Sequence, residues 1–331
     1  MTVLGEPFVV AEAAQGYEGD PALARLLVRG AAAAGADAVK FQIVFAGDLA
    51  APDYVHFDLF TQLEMTEADW RRVRDDARDK GLEFFADIFG SQSLALAKSL
   101  GVDGIKIHST CFFDDALIAE VAAMPVRLLL SIGGIEMEEL REAVARHRLV
   151  DRPHETVIMY GFQAEPTPLA SNHLRRIPAI AKATGLEVGF MDHSEGQGDY
   201  AISLSAVALG LGARVFEKHI SLDHALALED HISALTPTGF ADYVTAMADL
   251  TQALGDDIPA LSEDERAYRG RALKRVVAVR DIAAGDVLRE EDVVLLRPAA
   301  EEGLFRPGDA IGRSAKRSIA AGAPVRSGDL S

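Results

Sequence analysis

The feature that most constrains this chain is an alternation of short strand-type runs with Ala/Leu-rich helical patterns, kept up from Phe8 to Leu254. The strand-type runs are Phe8–Ala13, Ala38–Val44, Leu82–Ile88, Gly104–Ser109, Val126–Ile132, Thr156–Phe162, Glu187–His193 and Ala213–Ile220. Helical patterns lie near 21–34, 67–80, 91–100, 114–123, 136–147, 172–184, 199–211 and 239–254. Many of the strand runs are apolar on consecutive residues, as strands buried on both faces are. Eight strand–helix units over ~250 residues is the count and size of a (β/α)8 TIM barrel. A doubly wound open sheet is the alternative. The first strand-to-helix turn lacks GxGxxG, so nothing points to a dinucleotide site.

After Leu261 the character changes. Ser262–Arg275 is charged, with Arg266, Arg269, Arg271, Lys274 and Arg275, and reads as a linker. A short β-rich module follows, and its end echoes its start: Arg280-Asp281-Ile282-Ala283-Ala284-Gly285 returns as Arg317-Ser318-Ile319-Ala320-Ala321-Gly322. The expected organisation is a barrel over 1–261, a linker over 262–275 and a small domain over 276–331. A segment this short is marginal as an independent fold, so it is expected to pack on a barrel, its own or a partner's.

Composition narrows the partners. The net charge of −18 argues against general nucleic-acid binding and against docking on anionic membranes. Cys111 is the only cysteine, which excludes an intramolecular disulfide and fits a reducing cytoplasm. Met1 to Glu12 has no basic segment ahead of its short apolar run, unlike a signal peptide. No apolar run reaches the ~18 residues of a membrane span. The expectation is a cytoplasmic protein with no nucleic-acid or membrane partner.

In a parallel barrel the chemistry collects at the C-terminal ends of the strands. Those ends supply Glu12, then Lys40 with Gln42, Asp87, Lys106 with Ser109, Ser131, Gln163 with Glu165, Asp192 with His193, and Glu217 with His219. His193 and His219 end neighbouring runs, so two imidazoles project at one rim and could share a divalent metal. Lys40 and Lys106 lie within apolar runs. An inward lysine is costly unless it meets an anion, while an outward one can snorkel between helices. Two lysines with Ser109 and Ser131 favour an anionic ligand, a phosphate or carboxylate.

At this point the motifs resemble those of the sialic acid synthases (N-acetylneuraminate synthases). The resemblance spans nearly the whole chain. It rests on Ala11-Glu12, on Gly35-Ala36-Asp37-Ala38-Val39-Lys40-Phe41-Gln42, on Ile105-Lys106-Ile107 with Ser109, on Pro166-Thr167-Pro168, on Asp192-His193-Ser194, on Glu217-Lys218-His219 and on Asp230-His231. The C-terminal module is similar to the family's antifreeze-like (SAF) domain, with Arg297-Pro298 matching its Lys-Arg-Pro.

The resemblance implies metal-dependent condensation of phosphoenolpyruvate with an aldose or amino sugar, giving a nonulosonic or ulosonic acid and phosphate. It implies a divalent cofactor on His193 and His219, Mn²⁺ first, with Mg²⁺ or Co²⁺ as substitutes. Glu12, Lys40, Lys106 and Asp230 would be catalytic. Gln42, Asp87, Ser109, Ser131, Gln163, Glu165, His231 and Arg297 would bind substrate, Arg297 from the SAF module of the other subunit in a domain-swapped homodimer. The chain departs from the family at several rim positions, among them Gly16-Tyr17, Asp87, the segment His108–Cys111, Gln163, Glu165 and Met191. These changes argue against N-acetylmannosamine as acceptor. Two alternatives stay open: a metal-dependent aldolase or lyase on a related sugar acid, and a non-catalytic barrel. His108 reads equally as a site residue or a packed one, Trp70 as core, and Cys111 as a small buried residue and not a nucleophile.

Overall fold

Eight parallel strands close into a barrel in the computed structural model, which describes residues 6–255, 259–299 and 302–331. They are β1 (Phe8–Ala14), β2 (Ala38–Gln42), β3 (Glu83–Ile88), β4 (Gly104–Ile107), β5 (Arg127–Ser131), β6 (Thr156–Tyr160), β7 (Glu187–Asp192) and β8 (Val215–His219). Each pairs with the next, and β8 closes on β1. The helices around them are α1 (Pro21–Ala33), α2 (Ala46–Leu49), α3 (Phe57–Gln62), α4 (Glu67–Asp79), α5 (Ser91–Leu100), α6 (Asp115–Ala122), α7 (Met137–Arg146), α8 (Arg176–Thr184), α9 (Ala201–Gly210) and α10 (Pro237–Leu254). The expected TIM barrel is found and the open sheet is excluded. The short helices α2 and α3, inserted between β2 and α4, had no signal in the helical periodicity.

Local chemistry explains the element ends. Asp20 accepts from the Ala22 amide and Pro21 takes the first turn of α1, while Thr66 caps α4. Gly101 and Gly185 end α5 and α8 with left-handed φ of 63° and 72°.

The strands alternate between two cores. Outward residues pack against the helices, where Trp70 lies edge-on to Tyr17 and Phe41 with ring centroids 5.1 and 5.6 Å apart. Inward residues Val10, Ala38, Phe85, Leu129, Val157, Met159, Met191 and Val215 fill the barrel itself. Gly104 makes room for Phe85, since a Cβ there would stand 2.6 Å from its ring. Period two then sends the next inward positions towards the C-terminal rim. On β8, Glu217 and His219 face in while Lys218 faces out, 3.1 Å from Asp192 Oδ2.

The chain divides into two compact units, Met1–Asp256 and Asp257–Ser331. In the second, the segment expected to be a linker is mostly helix, α11 (Glu263–Ala272), because Ser262 and Glu265 form a reciprocal capping box at its start. Strands β9 (Arg275–Ala278) and β10 (Val293–Leu296) pair antiparallel. The sequence echo becomes a pseudo-two-fold. Ile282 and Ile319 exchange both backbone hydrogen bonds, at 2.9 and 2.8 Å. Arg280 Nε donates to Asp292 at 2.7 Å and Arg317 Nε donates to Asp329 at 2.5 Å. Each of those carboxylates also accepts a backbone amide, from Arg289 and Arg326 respectively.

Candidate active site

One inward layer above the apolar plug is ionic. Pairing of Glu12 with Lys40 across β1 and β2, and of Asp87 with Lys106 across β3 and β4, sets these residues side by side. Glu217 joins them from β8. Lys40 Nζ contacts Glu12, lies 3.2 Å from Asp87 Oδ2 and 3.6 Å from Glu217 Oε2. Lys106 Nζ lies 2.7 Å from Glu217 Oε1, 3.3 Å from Asp87 Oδ2 and 3.9 Å from Glu12 Oε2. None of these side chains is more than 3% exposed. Both lysines therefore point inward, and the outward, snorkelling orientation is ruled out. The anions they meet in this structure are the chain's own carboxylates.

The electrostatics follow from burial and count. Burial pulls Lys40 below the usual lysine range despite Asp87 and Glu217. For Lys106 burial acts the same way, but the charges of Asp87 and Glu217 outweigh it and raise the group. Glu217 is held at about 2, burial being overcome by Lys106 and then Lys40. Three carboxylates stand against two ammonium groups, a net charge of −1 when all are ionised. Asp87 Oδ1 and Glu217 Oε2 remain buried without a hydrogen-bond partner. Orphaned acceptors of this kind are costly and mark a site awaiting another group.

The two histidines stand above this layer with ring centroids 5.1 Å apart. Burial first, and Lys106 second, push His193 down to about 4, and burial with His193 holds His219 well below its ordinary value. Both imidazoles are neutral at pH 7 and keep a lone pair for a metal. His193 Nδ1 faces the Met191 carbonyl at 3.4 Å, and His219 Nδ1 is a buried orphan. This donor set fits a divalent transition metal. Among the described residues no cluster of three or more His, Cys, Asp or Glu ligands forms. The remaining ligands would be water or substrate oxygens.

Asp230, at a left-handed φ of 60°, brings Oδ2 to 3.8 Å from His219 Nδ1. Burial, and then its hydrogen bond to Glu165, push its carboxyl up to about 8. Gln42 Oε1 accepts from Gln15 Nε2 at 2.7 Å, and the Gln42 carbonyl accepts from buried Tyr17 at 3.0 Å. Ser109 donates to Gln163 Oε1 at 2.9 Å, and Gln163 Nε2 lies 3.2 Å from His108 Nε2. His108 is thus a rim residue, packed at 5.4 Å against Phe89.

The structure gathers Glu12, Lys40, Asp87 and Lys106 into one cluster, His193, His219, Asp230 and Glu165 into another, and Gln42, Ser109 and Gln163 along the rim. Ser131 is fully buried with its hydroxyl 3.7 Å from Met191 Sδ, below the rim. His231 turns Nδ1 to the Leu228 carbonyl at 2.7 Å and shapes its own loop. Arg297 is exposed after β10 in the second unit. Cys111 donates to the Phe89 carbonyl at 3.2 Å, and burial pushes its thiol up, as suits a packed residue. One member of the site, Gln15, was not singled out from sequence, and Glu217 was named only as a strand end beside His219 without a role. Gln15 follows a bulge at the end of β1 that no spacing rule marks. Glu217 had a signal, because it lies two residues before His219 and must share its face.

Comparison with known proteins gives the family of the chain. The sequence model of the NeuB family matches residues 27–259, and that of the SAF domain matches residues 275–331. The chain is similar to the N,N'-diacetyllegionaminic acid synthase of Legionella pneumophila, 28% identical with 95% of this chain and 92% of that protein covered. It is similar to the pseudaminic acid synthase of Campylobacter jejuni, 26% identical with 98% and 96% covered. The crystal structure of an N-acetylneuraminic acid synthetase from Leptospira borgpetersenii shares the fold, with a TM-score of 0.74 at 24% identity over 81% of this chain and 93% of that one.

Proposed function

This chain is an enzyme of the NeuB family, and on that premise we propose that it condenses phosphoenolpyruvate with an aldose or amino sugar to form a nonulosonic acid and phosphate. The observation that supports the reading most is the stacking of the two layers. Two inward lysines share the ionic layer with Glu217, and two residues further along β8 His219 stands edge-on to His193, with ring centroids 5.1 Å apart.

His193 and His219 would hold a divalent metal, Mn²⁺ first. When bound, it supplies a Lewis acid for the acceptor's aldehyde oxygen. Lys40 and Lys106 attract the phosphate and carboxylate of phosphoenolpyruvate, and Ser109 offers a hydroxyl from the adjoining rim. Carbon 3 of the enol then attacks the aldehyde carbon and forms the new C–C bond. The aldehyde oxygen gains a proton, a step we assign to Asp230, whose carboxyl burial and Glu165 push up to about 8. Water adds to the cationic carbon 2 and passes one proton to a carboxylate, a role we assign to Glu12. The C–O bond to phosphate then breaks as the new hydroxyl gives its remaining proton to the departing phosphate, leaving the ketone of the sugar acid. Arg297 would reach the site from a second copy, in a swapped homodimer. The rim substitutions point to an acceptor other than N-acetylmannosamine.

Asp87 between both lysines is the observation that favours a second reading, a metal-dependent aldolase or lyase on a related sugar acid. Phosphate release from phosphoenolpyruvate with Mn²⁺ and a panel of aldoses and amino sugars separates the two. Release with one acceptor supports condensation, and none with any acceptor defeats it.

A further inference from the structure

The two halves of the second unit align without a gap, 280–292 on 317–329. Three charged positions are kept: Arg280 as Arg317, Arg289 as Arg326 and Asp292 as Asp329. Four acids are not, since Asp281, Asp286, Glu290 and Glu291 give way to Ser318, Ala323, Ser327 and Gly328. In the first half acids answer both arginines. Arg280 lies 2.7 Å from Asp292 and 3.6 Å from Asp286, and Arg289 lies 3.7 Å from Glu291. In the second half Arg317 holds Asp329, but Arg326 faces Glu302 at 3.4 Å, and its Nε is buried with no hydrogen-bond partner. A recess of about 580 Å³ lies here, with Ser327 and Gly328 in its lining. Arg266 and Arg269 of α11 line it too, as do Arg275, Arg317 and Arg326. Arg269 and Arg275 stack on Phe305, their guanidinium carbons 4.3 and 3.9 Å from the ring centroid. The Leu273 and Gly270 carbonyls anchor Arg275 further, at 2.8 and 3.2 Å. Among the described lining residues Glu302 is the one acid, and Asp329 stands behind Arg317. Three positive charges are left over, in a chain of net charge −18.

We infer that this recess is an anion site, and that it takes a phosphoryl group, as inorganic phosphate or as the end of a phosphomonoester. Guanidinium groups pair with phosphate oxygens through two parallel hydrogen bonds, and those already stacked on a ring lose little further freedom on binding. A tetrahedral dianion offers acceptors in several directions, which suits arginines that come from α11 on one side and from the repeat on the other. A carboxylate presents two coplanar oxygens and a single charge, and satisfies fewer of them. The buried Nε of Arg326 is the donor that such a group would satisfy. The bound anion would tie α11 to the repeat. The inference is independent of the chemistry proposed for the barrel.

Equilibrium dialysis of the metal-free full chain against ³²P-labelled phosphate tests this, with phenyl phosphate and acetate as competitors. In that state the barrel's ionic layer carries a net charge of −1 and does not favour an anion. The expected result is saturable binding that phenyl phosphate displaces, and that acetate displaces only at a concentration about tenfold higher. Arg269→Gln/Arg326→Gln should weaken phosphate binding by about tenfold or more. Ser327→Glu/Gly328→Glu should do the same by returning the recess to the acids of the first half. The matching turn there already carries Glu290 and Glu291, and a Cβ at Gly328 meets nothing within 4 Å, so this variant keeps the fold. Phosphate should also raise the melting temperature of the wild type and of neither variant. No saturable binding to the wild type, equal displacement by acetate, or phosphate binding unchanged in both variants overturns the inference.

Discussion

Lys106 Nζ donates to Glu217 Oε1 at 2.7 Å across the barrel, although 111 residues separate them in the chain. The contact exists because β4 and β8 each turn every second residue inward at the same height. It ties the ionic layer to the histidine pair, since Glu217 and His219 share one face of β8.

Breaking that layer should cost stability. Asp87 contacts both lysines and is fully buried. Asp87→Ala removes the carboxylate that bridges the two lysines, while Lys40 keeps Glu12 and Lys106 keeps Glu217, for an expected loss of about 1.5–3 kcal/mol. Urea unfolding should show a lower midpoint with an unchanged slope.

Removing the metal should weaken phosphoenolpyruvate binding. The ionic layer carries a net charge of −1, and a divalent ion on the histidines makes the site +1. Calorimetric titration of chelator-treated protein should give an affinity at least about tenfold below that of the Mn²⁺-loaded protein, a difference of ~1.4 kcal/mol. Equal affinities would mean that the histidines hold no metal relevant to the anion.

The ionic layer also shows how far a single sequence can be read. Strand alternation and the inward lysines were legible, because burial on both faces leaves continuous apolar runs that make an embedded lysine conspicuous. The partners of those lysines were not. A lysine states that it needs an anion, but not whether the anion is a ligand or Glu12, Asp87 and Glu217 of the same chain. The α2–α3 segment was illegible for another reason: its helices, of four and six residues, are too short to show a period. The helix within the expected linker was not read from its charged residues, although Ser262 and Glu265 carry a capping box.

The second unit offers a pH test. Asp292 is held below the ordinary aspartate value, first by Arg280 and then by the Arg289 amide. A depressed carboxyl stabilises the fold above its unfolded pKa of about 3.9, and that contribution is lost as pH falls through the lower folded value. Asp292→Asn should therefore lower the melting temperature at pH 7, and the gap from wild type should close towards pH 3. Calorimetric scans of the full chain at pH 7, 5 and 3 read both.

The proposed swapped dimer rests on exposed Arg297, to which the family resemblance gives a place at a second copy's rim. Multi-angle light scattering should show a particle of two chains, and Arg297→Ala should raise the KM for the acceptor without dissociating it. A monomer at micromolar concentration would contradict this arrangement.

The central claim is tested most directly with phosphoenolpyruvate labelled with ¹⁸O at the bridging oxygen, incubated with Mn²⁺, wild-type protein and a panel of aldoses and amino sugars. The account predicts one sugar acid formed per phosphate released, with the label in the phosphate, and loss of both products in His193→Ala. Label-free phosphate accompanied by pyruvate, or no phosphate with any acceptor, would contradict it.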